Sequence, residues 1–317
     1  MDFSNFRNTE DLNLYPPKPT NEEKQGKIIN VSLNFVFVIL IYLFAFGGNI
    51  KLLSAVLMVL FVHESGHLLM MKRFGYKDKK MFLIPFMTHF LNNQSKKINL
   101  SQHIFMLMMG PLPGILIGIV LLYFGINNEN KEIAGLAWIF LSFNLINLLP
   151  LDALDGAHYS HVTFNKYTFL IQIVFTALTS IVSFIFIYIF KNYLLVVIPL
   201  YLIYKLRVQF KTRQLRSELE HRGIDCTVGF YELNNKQYWL TRKELISLKQ
   251  IPIEEEEINE FTESLYEKLV MQHIKAILLD LPRDNMSKKL KLISLLIWLC
   301  MLLLPIVFIF LFAFNEK

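Results

Sequence analysis

Three ionisable side chains sit inside a stretch of chain apolar enough to cross a bilayer. Val59 to Met71 reads VLFVHESGHLLMM, a His-Glu-x-x-His motif in a run from which lipid should exclude such groups. A His or Glu near the middle of a bilayer costs at least a few kcal/mol, so the cluster must face protein, water or a metal. On a helix His63 and His67 are four residues apart and share one face, each able to offer an imidazole nitrogen to the same ion. Glu64 lies beside them, placed to take a proton from a metal-activated water.

The surrounding chain supports a membrane setting. It is 54% hydrophobic and carries 28 Phe, outside the balance of a water-soluble domain, and reads as polytopic. Its two cysteines, Cys226 and Cys300, are far apart, so neither a disulfide framework nor a Cys-based zinc site is implied. Any metal is left to His and carboxylate. The net charge of +6 does not point to nucleic acid, because the basic residues gather at the ends of apolar segments, where membrane orientation explains them.

Candidate spans are Ile28 to Gly48, Leu52 to Met71, Ile104 to Phe124, Ile133 to Leu151, Thr168 to Phe190 and Leu292 to Phe314. A shorter run, Tyr193 to Tyr204, could close a hairpin but falls below the roughly 20 residues a spanning helix needs. The run after the polar tail 1–27 is too long for a signal-peptide core. Met81 to Asn93 is apolar but too short to span, and reads as a re-entrant hairpin or interfacial segment. The expected fold is an all-α polytopic membrane protein with about 6–7 transmembrane helices, the core occupying 28–206 and the last helix 291–317.

Residues 207–290 are polar and read as a small soluble α+β region, cytosolic if the short run crosses. LRVQFKTRQLRSELEHRG predicts an amphipathic helix stopped by Gly223, and FYELNNKQYWL a hairpin turning at Asn234 and Asn235. Thr241 with Glu244 makes a capping-box pattern, and the spacing is again helical from Ile258 to Leu279.

Lys72, Arg73, Lys77, Lys79, Lys80, Lys96 and Lys97 crowd the connection between the second and third spans, so by the positive-inside rule that loop is cytoplasmic. His63 then lies roughly 12 Å from the cytoplasmic end of its helix. The fourth span ends on the same side with FNLINLLPLDALDGAH, which supplies Asn147, Pro150, Asp152 and Asp155. A zinc site needs a third protein ligand. Asp155 is the best candidate, because Gly156 permits close backbone approach and Pro150 bends or frees the helix; Asp152 is the alternative. Zinc, one ligating carboxylate, Glu64 and a neutral water sum to zero charge, which suits a low-dielectric site. His89, His103, His158 and His161 lie near segment ends and read as solvated interfacial histidines. Asn147 reads either as a helix-pairing amide or as a substrate-positioning group. MMGPLPGILIG, with Gly110, Pro111, Pro113 and Gly114, reads as a close-packing and kink device in the third span.

With HESGH in one span and NLLPLDALDG in a later one, the chain resembles the site-2 protease family of intramembrane zinc metallopeptidases. The resemblance covers roughly Leu52 to His161. It rests on the pattern Asn147-x-x-Pro150-x-x-x-x-Asp155-Gly156 and on GPLPG between the two motifs. It implies that His63, His67 and Asp155 ligate zinc, that Glu64 is the catalytic base, and that Asn147 orients substrate or stabilises the oxyanion. It also implies a transmembrane protein substrate cut within or near the bilayer, a multi-pass location, and a bacterial cell membrane if the source is bacterial. The chain departs from many relatives in having no loop long enough for a PDZ domain and no CBS-like pair, and in carrying Pro113-Gly114 where Ala-Asn is frequent. The rival expectations are a pseudoprotease that binds membrane helices without cutting them, and a transporter or channel. The latter calls for polar residues across the whole bilayer rather than on one side of it.

Overall fold

The computed structural model describes residues 15–19, 49–75, 99–151, 154–164, 167–191, 196–248, 266–279, 282 and 284–314. The expected first span and the Met81 to Asn93 segment lie outside them, as do His89 and Asp152. The described residues carry no β-strand, and their helices fall into two compact units: Gln25–Leu206 with Pro282–Lys317, and Met1–Lys24 with Arg207–Leu281.

In the larger unit, helix α1 (Ile50–Arg73) is started by Asn49, whose side chain accepts a hydrogen bond from the Leu52 amide. Its buried residues are Val59, Leu60, His63, Glu64, Gly66, His67, Met70 and Met71, a stripe at helical spacing. Phe61 and Leu69, on the other side, are each 57% exposed. Three ionisable side chains thus face inward beside Val59, Leu60, Met70 and Met71 while Phe61 and Leu69 face outward, at those positions an inversion of a helix bathed in water. Next come α2 (Leu100–Met109) and α3 (Pro111–Asn127), then α4 (Lys131–Asn147), α5 (Asp155–Phe164) and α6 (Thr168–Phe190). Helix α6 repeats the inversion: Thr168, Gln172, Thr176 and Ser183 are buried while Leu170, Ile173, Leu178 and Ile181 are exposed. The unit closes with α10 (Lys288–Phe314), which contains Pro305.

Four helical runs are long and apolar enough to cross a membrane: α1, the α2–α3 run of 28 residues, most of α6 and most of α10. That number, among the described residues, is below the 6–7 expected. Helix α4 ends at Asn147 rather than at Leu151 and has only 17 residues, because the chain unwinds ahead of Pro150. The third expected span is two helices, broken at Gly110 and restarted by Pro111 in the first turn, where a missing N–H leaves no helical bond unmade. Helix α1 packs against α2, α3 and α4, and α5 packs against α2 and α6. Helix α5 is also held by α10: the Tyr159 ring stacks on Trp298 at 4.2 Å, and its hydroxyl lies 3.2 Å from Ser294 Oγ.

The described residues of the smaller unit are helical and carry no strand, rather than the α+β expected. Helix α7 (Val197–His221) enters it at Arg207 and stops at Gly223, whose φ of 84° suits a residue without a side chain, as the sequence predicts. A 3-10 turn, Phe230–Glu232, and helices α8 (Asn235–Ser247) and α9 (Glu267–Ile277) follow. The expected hairpin is therefore replaced by a helix start. Asn234 accepts a hydrogen bond from the Gln237 amide while Gln237 Oε1 accepts from the Asn234 amide, a complete capping box. Thr241, expected to cap, sits inside α8 and donates its hydroxyl to the Gln237 carbonyl. The core joins Leu219, Phe230, Tyr238, Trp239, Val270 and Ile274. Within it the Arg242 guanidinium meets Glu267 at 3.2 Å and Tyr238 donates its hydroxyl to the same carboxylate. A charge pair this deeply buried is retained because each oxygen finds a donor.

Candidate metal centre

Helix α1 presents His63 and His67 one turn apart, and the first residue of α5, Asp155, is brought against both. All three side chains are buried. His63 Nε2 lies 3.0 Å from Asp155 Oδ2, His67 Nε2 lies 3.3 Å from it, and the two Nε2 atoms are 3.1 Å apart. These separations match the edges of a tetrahedron of about 3.3 Å that zinc with bonds of about 2.0–2.1 Å would set.

The other nitrogen of each ring decides what the triangle contains. His63 Nδ1 is 2.9 Å from Asn144 Oδ1, and His67 Nδ1 is 2.9 Å from the Met106 carbonyl. The Asn144 amide is itself oriented, because its Nδ2 donates to the Phe140 carbonyl at 2.8 Å. Both partners are acceptors, so each imidazole directs an Nδ1 proton outward and turns its Nε2 toward Asp155. Asp155 Oδ2 is buried and lies within ion-pair distance of both Nε2 atoms. The two Nε2 atoms and Asp155 Oδ2 thus converge on one point. The three residues lie close enough to hold a metal ion, and a donor set of two imidazoles and one carboxylate fits zinc.

Small residues make the convergence possible. A Cβ on Gly110 would stand 2.2 Å from His67 Nε2, and one on Gly66 would stand 1.8 Å from the Met109 carbonyl oxygen, so α1 and the α2–α3 break cross at glycine distance. A Cβ on Gly156 would meet the Leu148 carbonyl at 2.2 Å, which ties the start of α5 to the unwound link from α4.

Of the residues expected at the site, His63, His67, Glu64, Asp155 and Asn147 are all buried in this unit. Asn147 Nδ2 comes within 3.3 Å of His63 Nε2. Asn144 and the Met106 carbonyl were not foreseen. The available signal for Asn144 is its place one helical turn before Asn147 in an otherwise apolar helix. His103 departs from expectation: rather than lying solvated at an interface, it is 2% exposed in α2, with no hydrogen-bond partner for either ring nitrogen among the described residues. Its helix α2 packs against α5. His158 and His161, on α5, are partly buried.

Comparison of the chain with family models, curated proteins and solved structures gave no match.

Proposed function

We propose that the chain is a multi-pass zinc metalloendopeptidase of the site-2 protease kind that hydrolyses peptide bonds in transmembrane segments of other proteins, in a bacterial cell membrane. The observation that carries this reading is the triangle of His63 Nε2, His67 Nε2 and Asp155 Oδ2, closed at 3.0–3.3 Å and buried among helices apolar enough to cross a membrane.

His63, His67 and Asp155 would hold zinc, which when bound supplies a Lewis acid for the scissile carbonyl and lowers the pKa of a coordinated water toward 7. Glu64 neighbours His63 on α1 and is buried, so it acts where water is scarce. Its carboxylate takes a proton from the attacking water and returns it to the leaving amine. Asn147, with its amide nitrogen at the inner face of His63, is placed to orient a substrate carbonyl by hydrogen bonding. A substrate helix must first unwind locally, since a peptide bond inside a helix is hydrogen-bonded and sterically covered. The buried polar stripe of α6 belongs to the same unit and can satisfy unwound backbone that lipid cannot.

The test pairs wild type with Glu64→Gln in native membranes and compares full-length and shortened membrane proteins. The expected outcome is at least one transmembrane protein that accumulates uncut in the variant and is cut by purified wild type. Purified wild type should carry about one zinc per chain, lost in His67→Ala. Zinc without any cleavage would leave a helix-binding pseudoprotease; neither zinc nor cleavage would remove the reading altogether.

A further inference from the structure

The smaller unit holds a segment of the chain that none of the metal chemistry uses. Tyr15-Pro16-Pro17-Lys18-Pro19 lies against the 3-10 turn and α8, over 200 residues away in sequence. Trp239 donates its indole N–H to the Pro16 carbonyl at 2.8 Å, and Asn235 Oδ1 accepts the Lys18 amide at 3.0 Å. The Lys18 ammonium donates to the carbonyls of Phe230 and Leu233 at 2.9 Å each, with Tyr231 at 3.4 Å, and stands 5.0 Å over the Phe230 ring. Tyr15 packs on the core, and Pro19 is buried.

Each of these hydrogen bonds joins a side chain on one partner to the main chain of the other. No ladder of main-chain hydrogen bonds appears, because the prolines have no N–H to offer and keep the segment extended at low entropic cost. An aromatic N–H on a proline carbonyl, beside a pocket for one charged side chain, is how separate proline-rich peptides are recognised. The ammonium pocket is particular. Its carbonyls end the 3-10 turn Phe230–Glu232, where helical partners run out and the dipole favours a cation. The Phe230 ring alone does not define it, since Lys275 shares that ring at 4.9 Å. The carbonyl cluster is what selects Lys18.

We infer that the face formed by Phe230, Leu233, Asn235 and Trp239 is a recognition site for a Pro-Pro-Lys-Pro peptide, filled in cis by Tyr15–Pro19. The clasp also sets topology. Tyr15–Pro19 and Arg207–Leu281 must lie on one face of the membrane, so an even number of crossings separates them. This inference is independent of zinc and of proteolysis.

The test uses the purified full chain and a fluorescent peptide spanning residues 14–20. In wild type the tethered segment competes at an effective concentration of order millimolar. Lys18→Ala in the chain should therefore bind the peptide at least tenfold more tightly than wild type does, and the same peptide with alanine for lysine should bind that chain at least tenfold more weakly. Absence of saturable binding to the Lys18→Ala chain, or equal binding of the two peptides, overturns the inference. Cys226, buried in this unit with its thiol pushed up to about 11 by burial, reports folding: it should stay unreactive to maleimide at pH 8 in every variant used. If Lys18→Ala exposes Cys226, a protease site inserted directly after residue 24 of wild type replaces it. The cut tail should remain bound and be released by excess lysine peptide but not by the alanine peptide; release without peptide overturns the clasp. Single cysteines at Ser4 and Glu220 should react with a membrane-impermeant maleimide from the same face. Reaction from opposite faces also overturns it.

Discussion

Asn144 shows how one uncharged side chain can govern a charged site. Its amide oxygen takes the Nδ1 proton of His63 at 2.9 Å, and its amide nitrogen is committed to the Phe140 carbonyl, so it cannot flip without losing both bonds. The ring it holds points Nε2 at Asp155 and His67. Removing such a partner of a ligating imidazole typically costs 10–100-fold in metal affinity. Asn144→Ala is therefore expected to weaken zinc binding by that factor in a chelator-competition titration, with Asn144→Asp recovering part of the loss because a carboxylate still accepts. Asn144→Ala with unchanged affinity would mean that packing alone sets the ring. His67 is held differently, by the Met106 carbonyl, and no side-chain substitution at 106 removes that acceptor.

The break between α2 and α3 and the glycines that follow it let the helices that carry His63, His67 and Asn144 approach. Gly114, one turn into α3, faces Asn144 of α4, and a Cβ there would stand 2.1 Å from Asn144 Nδ2. Gly114→Ala should therefore lower zinc affinity in the wild-type background, to roughly the level of Asn144→Ala. In an Asn144→Ala background the same change should cost almost nothing, since the clashing atom is gone; a double-mutant cycle on zinc affinity measures that coupling. Full additivity would show that Gly114 acts elsewhere. The element scale is also where local reading of the sequence went astray. Asn234-Asn235 between aromatic runs matches a hairpin turn and a helix cap equally well by residue type. The cap prevails because Gln237 completes the reciprocal pair and because α8 buries Tyr238, Trp239 and Leu245 on one side.

At the scale of the whole molecule, the folded chain holds three possible metal ligands at 3.0–3.3 Å, an arrangement that the unfolded chain does not present. Under the proposed function, zinc at a thousandfold excess over its dissociation constant adds about 4 kcal/mol to stability. Chelation of the detergent-purified chain should lower its thermal midpoint reversibly, and His67→Ala should start from the lowered value and ignore the chelator. Equal midpoints for wild type with and without zinc would argue that the fold, rather than the ion, holds the triangle together. The sequence by itself determined the helical class of the core, the inward face of α1 and the pairing of His63 with His67, while it left Asp155 and Asp152 open as the third member. Those follow from a 3.6-residue period and from the cost of placing charge in lipid, both local and readable along one segment. Only the tertiary structure decided that Asn144 and the Met106 carbonyl orient the imidazoles, that His103 is covered, and that Tyr15–Pro19 docks on Trp239. These contacts join residues 81, 39 and 223 positions apart. They arise from where glycine lets helices cross and from which donor is left facing which acceptor, and neither is written in the period of any single segment.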